Sequence, residues 1–225
     1  MNNFSTEWDD TYKKGEHASV WPWSDLVSFV NRYSKPDKQP FKVLEIGCGA
    51  GANISFFKAL GVEYFAVEGS NAAVNILHHK YPELKNNIKT ADFTVSIPFD
   101  GPFDLIVDRA SLTHNNTNAI KKSIELLTDK LKSGGVFIGI DWFSTSHTDY
   151  QEGEFAEDKF TKTNFINGQF VGLGRVHFAN QTHLEELFLK YEILVMEHKT
   201  VVKTIPTVNH TFASWNFVVK KIEND

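Results

Sequence analysis

The most chemically informative residues of this 225-residue chain lie in VLEIGCGAGAN, positions 43–53, an apolar run that passes into a turn carrying Gly47, Gly49 and Gly51. A strand entering a helix through such a turn lets backbone come close to a ligand and aims unpaired N–H groups at it. With Ala52 the spacing also satisfies GxGxxA, so a nicotinamide or flavin enzyme is one reading. Two acids bear on the choice. Glu45 stands two residues before the first glycine, where a negative charge would oppose a pyrophosphate and favour a cation, an ammonium or a sulfonium. Glu68 ends the next apolar run, ahead of Gly69 and Ser70; a carboxylate there can accept from both hydroxyls of a ribose and excludes a 2′-phosphate. Asp92, with Phe93 beside it, can accept from an adenine amino group while the ring packs on the base. Cys48 reads as a small packing residue, since nothing near it supplies a base.

A second set of candidates follows the later apolar runs. FDLIVDRASLTHN brings Asp108, Arg109 and His114, and IDWFSTSHTDY brings Asp141, Trp142, His147 and Asp149. Asp108 is either a ligand-side acid or a satisfied strand-end carboxylate. His114 is either a general base or a hydrogen-bonding residue at a helix entry, and His147 is a second candidate base. GLGRVHF adds Arg175 and His177, read as a pocket pair or a surface pair. No HExxH spacing occurs, and no metal is expected. Trp8, Trp21 and Trp23 anchor an N-terminal segment or close over a ligand, and the two roles are compatible.

The elements that must position these residues alternate. Ser24 is a plausible N-cap for a helix carrying Leu26, Phe29, Val30 and Tyr33, and KPDKQP breaks the chain before the strand at Phe41 to Gly47. Strands are expected at Val62 to Glu68, in NIKTADF, at Phe103 to Asp108 and in VFIGIDWF. Helices are expected from Ile54 to Leu60, from Ser70 or Asn71 to Tyr81, and between Asn116 and Leu131. From Ser144 to about Asn180 no period persists; an irregular stretch of that length inside a domain is usually functional or disordered, and the functional reading is favoured. Thr182 with Glu185 forms a capping box for one more helix, and YEILVMEHKTVV and TFASWNFVVKK close the chain as strands. Repeated strand-helix units predict an α/β, doubly wound, mostly parallel sheet.

VLEIGCGAGAN, FAVEGS, ADF and FDLIVDRASLTHN, followed by LKSGGVFIGI, resemble in order the motifs of the class I S-adenosylmethionine-dependent methyltransferases, over residues 41–140. The resemblance implies a Rossmann-like sheet of seven strands with the last antiparallel, helices on both faces, and S-adenosylmethionine over the carboxyl ends of the strands. It places Glu45 and Gly47 to Gly51 at the cofactor's methionine end, Glu68 at its ribose, Asp92 and Phe93 at its adenine, and Asp108 near the methyl. It also places the loop after the fifth strand at the acceptor. The Asp-Arg pair and the aromatic N-terminal segment are similar to thiopurine methyltransferase-like proteins, from which the long insertion departs. The chain is therefore expected to form one domain, 1–225, with an N-terminal lid (1–40) that includes Trp21, a cofactor-binding core (41–140) and an acceptor-side insertion (144–180). The expected activity is methyl transfer to oxygen or nitrogen of a small polar molecule such as a sugar, nucleotide sugar or amino-acid-derived metabolite. His114 or His147 would take the proton, and Arg109, Asp141, Trp142 and His177 would contact the acceptor. A catalytically silent S-adenosylmethionine-binding module is the alternative, besides the nicotinamide enzyme.

Composition narrows the classes further. The formal charge is −5, from 23 Lys and Arg against 28 Asp and Glu, which argues against a surface built to track nucleic-acid phosphates. The single cysteine excludes an intramolecular disulfide framework and a cysteine-based zinc site. No apolar run approaches the roughly 20 residues of a membrane span, and MNNFSTEWDD lacks the basic and apolar regions of a signal peptide. A cytoplasmic monomer or homodimer is expected.

Overall fold

A computed structural model describes residues 7–15 and 19–222. Strands β1 (Lys42–Ile46), β2 (Glu63–Glu68), β3 (Ile88–Thr90), β4 (Phe103–Arg109), β5 (Leu131–Phe143), β9 (Tyr191–Val202) and β10 (Thr211–Lys221) form one sheet in the order β3-β2-β1-β4-β5-β10-β9. Only β10 runs against its neighbours, pairing antiparallel with β5 and β9. The parallel strands are apolar on both faces because helices cover both. Leu44, Ile46 and Ile106 point into one core with Phe137, Phe188 and Phe217. Their neighbours Val43, Leu105 and Val107 point into the other, beneath Leu26, Phe29, Phe57 and Leu77.

Helices α3 (Ile54–Ala59), α4 (Asn71–Lys80) and α5 (Thr117–Lys130) occupy the expected places. The Ser70 side chain caps α4 by accepting from the Ala73 N–H, and Asn116 caps α5 by accepting from the Ala119 N–H. Three local expectations are corrected. Ser24 lies inside α2 (Ser24–Phe29), whose N-cap position is Trp23, and the helix continues as a wider π turn over Val30–Ser34. The cap of α6 (Gln181–Leu187) is Asn180, accepting from the His183 N–H, because the helix begins before the Thr182–Glu185 pair can act as its box. The segment after β5 is also more regular than its sequence suggests. A short 3-10 turn at Thr148–Gln151 leads to strands β6 (Glu154–Phe155), β7 (Thr161–Thr163) and β8 (Val176–His177), an antiparallel sheet over a small core of Phe143, Phe165, Phe170 and Phe178. Strands of two or three residues leave too short an alternation to be read from sequence.

Helix α1 (Glu7–Lys13) lies apart from both cores and docks through polar bonds. Asp9 Oδ1 accepts from the Ser70 hydroxyl at 2.7 Å and from the Ala72 N–H at 3.0 Å, placing its charge at the positive end of α4. These bonds and the Lys13 ammonium, 2.7 Å from Oδ2, lower the Asp9 carboxyl to about 2. Among the described residues, no helix is long and apolar enough to cross a membrane.

Replacing Asn116 by Ala removes the α5 cap and is expected to cost about 1 kcal/mol, measured as a lower urea midpoint with unchanged slope; an unaltered midpoint contradicts the assigned cap.

Candidate active site

A cavity of about 360 Å³ opens above the carboxyl ends of the central strands, within the size range of small-ligand sites. Its lining follows the order of the sheet. Phe93 comes from beyond β3, Glu68 from β2, Glu45 and Gly47 to Gly49 from β1 and its turn, Arg109 to Ser111 from β4, Asp141 and Phe143 from β5, and Phe212 from β10.

The β1/β2 half is acidic. Glu68 is buried, with Oε2 accepting from the Gly49 N–H at 2.8 Å and Oε1 from the Ser70 N–H at 2.9 Å. With the Gly69 N–H as a third backbone donor, the carboxylate's roughly four acceptor positions leave room for a hydroxyl. Burial raises its pKa against these bonds. Glu45 accepts from Asn53 Nδ2 at 2.7 Å and from the Tyr64 hydroxyl at 2.5 Å. Burial chiefly, with Asp108 and Glu68 nearby, lifts the Glu45 carboxyl to about 7. A carboxyl so poised is held back from ionising until a cation arrives, so the donor set fits a positively charged ribonucleoside. Gly49, at φ +53°, could not carry a side chain: a Cβ would lie 2.5 Å from the Tyr12 hydroxyl, which roofs this half from α1.

The β4/β5 half is aromatic. Trp8, Trp23, Phe143, Phe170, Leu173 and Phe212 surround it. Arg109 lies over the Trp23 ring, 3.5 Å from its centroid, and donates from Nη2 to Asp141 Oδ2 at 2.9 Å. Asp141 in turn accepts from Lys199 at 2.5 Å and from Ser214 at 3.2 Å. His114 stands where the halves meet, edge-on to Trp8 with ring centroids 4.9 Å apart. Its Nδ1 lies 3.2 Å from the Arg175 carbonyl oxygen, which can only accept, so Nδ1 carries the proton and Nε2 the accepting lone pair.

Of the residues singled out in the sequence, Glu45, Gly47, Cys48, Gly49, Glu68, Phe93, Arg109, His114 and Asp141 thus line one cavity. Others are placed elsewhere. Trp21 is 77% exposed and outside the lining, while Trp8 and Trp23 take the place expected for it. Asp108 is wholly buried behind the wall, where its carboxylate accepts from Trp142 Nε1 at 2.7 Å, the Leu112 N–H at 3.1 Å and the Ser111 N–H at 3.2 Å. Its pKa rises to about 6 through burial. Trp142, its partner, is a core residue packed on Phe188 and Phe217 rather than an acceptor contact. His177 is fully buried against Thr117 and His183, and burial lowers its pKa to about 3. Gly51, Gly69 and Ser70 also lie outside the lining; a Cβ at Gly51 would strike Leu77, and Ser70 is occupied as a cap. Asp92 accepts from the N–H and hydroxyl of Thr94, beneath Phe93 in the chain but outside the lining.

His147 is the clearest displacement. Its side chain has no exposed surface, and its Nδ1 accepts the Asp149 N–H at 3.0 Å, so the neutral ring carries its proton on Nε2, facing the Gln169 side-chain amide, whose oxygen must turn to that nitrogen to accept it. Burial first, and His210 less, lower its pKa to about 4. With neither nitrogen open to the cavity, His147 is not placed to accept a substrate proton. Tyr12, one helical turn from Trp8, and Phe143, Phe170 and Phe212 were the aromatic lining residues that motif reading missed; the only sequence signal was their aromatic character. Also passed over was the H-x-D spacing of His147 and Asp149.

A doubly wound sheet with its single antiparallel strand next to the edge and a cavity at its carboxyl ends is the fold of the class I S-adenosylmethionine-dependent methyltransferases. The chain belongs to the family described as a methyltransferase domain, which matches residues 20–197. A protein-L-isoaspartate O-methyltransferase of Xanthomonas campestris pv. campestris is 27% identical over 134 residues, 56% of each chain. The chain thus spans little more than half the length of that curated relative; another of the same name, from Pelodictyon phaeoclathratiforme, is 27% identical over 171 residues, 71% of this chain and 73% of its own. Among solved structures, an S-adenosylmethionine-dependent methyltransferase from Methanosarcina mazei aligns with a TM-score of 0.68 at 14% identity, covering 91% of this chain and all of that one. The 1,6-didemethyltoxoflavin-N1-methyltransferase of Burkholderia thailandensis, solved with its substrate and S-adenosylhomocysteine, aligns with a TM-score of 0.64 at 14% identity, over 95% of this chain and 85% of that one. Membership of the methyltransferase family makes S-adenosylmethionine the cofactor.

The raised pKa of Glu45 sets a pH dependence. Its neutral form stabilises the ligand-free fold relative to an ordinary carboxyl; that contribution is full below about 4.5 and is lost as pH rises through about 7. A cation needs the opposite form. Calorimetry is therefore expected to show affinity for S-adenosylmethionine increasing as pH rises through 7, and Glu45→Gln to flatten the profile; an equally steep profile in the variant removes Glu45 from the cation's surroundings.

Proposed function

We propose that this enzyme methylates an oxygen or nitrogen of a small molecule held in the aromatic half of the cavity, with His114 as the general base. The observation that carries the reading is the fixed tautomer of His114 at the junction of the acidic and aromatic halves. Bound S-adenosylmethionine supplies an electrophilic methyl on a sulfonium. Glu45 would sit by its positive end, Glu68 would accept from its ribose hydroxyls, and Phe93 would pack against its base. The protein's remaining work is to hold a nucleophile in line and dry, and positioning alone can be worth about 7–11 kcal/mol. Trp8, Phe143 and Phe170 exclude water from the approach. His114 Nε2 accepts the proton that a hydroxyl must lose as it is methylated, while Nδ1 stays bonded to the Arg175 carbonyl and keeps the ring in place. Asp141 holds Arg109 against Trp23, where the guanidinium can orient a polar group on the acceptor.

The sugar and amino-acid acceptors suggested by sequence remain within this reading as polar groups to be set against Arg109, but the wall they would meet is mostly aromatic. The name of the curated relatives carries a second reading, methylation of a peptide isoaspartyl carboxylate. A carboxylate acceptor has no proton to lose, so the two readings differ in their need for His114.

Labelled S-adenosylmethionine offered with a metabolite panel and an isoaspartyl peptide separates them. Transfer to a small molecule is expected, with His114→Gln lowering kcat about 10²- to 10⁴-fold at unchanged S-adenosylhomocysteine affinity. Transfer to the peptide alone, indifferent to His114, would overturn the proposal.

A further inference from the structure

His147, Asp149 and His210 each present one potential ligand atom, and these atoms all lie within 4.8 Å of one another; no other such group of three occurs among the described residues. They come from two distant parts of the chain, the 3-10 turn after β5 and the residue before β10. Asp149 Oδ1 lies 2.9 Å from His210 Nε2 and 3.9 Å from His147 Nδ1. Ligand atoms around a tetrahedral zinc, each about 2.0–2.2 Å from the ion, stand roughly 3.4 Å apart. The two observed separations bracket that edge, so small side-chain rotations would seat an ion.

The surroundings have the features of a supporting shell. Asp149 Oδ2 accepts from the Gln169 N–H at 2.9 Å, and a Cβ at Gly168 would lie 2.3 Å from the same oxygen. Those contacts leave Oδ1 directed at the two imidazoles. The Gln169 side-chain amide lies 3.0 Å from His147 Nε2; with its oxygen turned to that nitrogen it accepts the Nε2–H, the outer-shell bond that fixes a ligating histidine. Phe170, Phe178 and Phe212 pack around the His147 ring with centroids 5.3 to 6.0 Å away, an apolar back wall. His210, one third exposed, faces the entry.

We propose that His147, Asp149 and His210 bind one zinc-class divalent cation, through His147 Nδ1, Asp149 Oδ1 and His210 Nε2, outside the methyl-transfer cavity. Two imidazoles and one carboxylate favour zinc or cobalt over magnesium or calcium, which prefer all-oxygen shells. The ion displaces the Asp149 N–H from His147 Nδ1 and moves the His210 proton to Nδ1 of that ring. Its place in the fold makes it a clasp: Gln169 and Phe170 line the cavity, so an ion here ties the insertion wall to the turn between β9 and β10. None of the three ligands lines the cavity itself.

The test uses the full chain, stripped with a chelator and titrated calorimetrically with zinc, cobalt and magnesium chlorides. One zinc or cobalt ion per chain and a raised Tm are expected, with magnesium silent. His210→Ala, at a partly exposed position, and Asp149→Asn should each weaken zinc more than about tenfold while circular dichroism shows an intact fold. His210→Gln serves where the alanine variant is unfolded. Absence of zinc and cobalt binding to the wild-type chain, equal affinity in the folded His210 variant, or preference for magnesium would each overturn the proposal. Cofactor binding is read separately with S-adenosylhomocysteine and stands or falls independently.

Discussion

A carboxylate buried at the end of a strand is costly unless every lone pair is occupied, and the geometry of this enzyme follows from how that cost is met. Asp108, at the end of β4, gathers the Trp142 indole from β5 and the Ser111 and Leu112 backbone from its own turn. Ser111 donates as well to the Ile46 carbonyl at the end of β1, and its Cβ fills the space a side chain at residue 47 would need. Three strand ends are thereby joined at one anion. The cavity above them is shaped by this junction, although the carboxylate itself is hidden from any ligand.

The neighbouring acids divide according to what occupies their oxygens. Glu68 is held by backbone N–H groups, whereas Glu45 is lifted by burial to about 7 against the phenol and the amide that favour its charged form. Asp141 spends its charge on Arg109 and Lys199 and so serves as a brace for the guanidinium. Four acids at four strand ends thus do different things because their donors differ, a distinction that residue type alone does not contain.

Much of the sheet could be read from the chain, because buried parallel strands are short apolar runs and each is punctuated by glycine, proline or a cap. The placement of Gly47 to Gly49, Glu45 and Glu68 at the cavity was legible for a related reason: each stands at or just beyond the end of such a run, and so at the carboxyl edge of the sheet. Asp108 was not, since its main partner, Trp142, is brought to it by strand pairing between β4 and β5. His147 was a second candidate base after His114 and His177 a pocket or surface residue; packing of the insertion separates a ring at the cavity from two that are sealed away. The choice among Trp8, Trp21 and Trp23 rested on how α1 docks, which involves a polar bond from Asp9 to the start of α4 and leaves no apolar period in its own sequence.

That mode of docking means that the sheet and the enclosure of its ligand are separable. Every strand of the sheet lies downstream of residue 41, while Trp8 and Tyr12, which cover the crevice, belong to a seven-residue helix with no buried side chains, resting on the body of the enzyme. A chain lacking that leading segment would retain its architecture and lose its ceiling, leaving the sulfonium and its nucleophile open to bulk water.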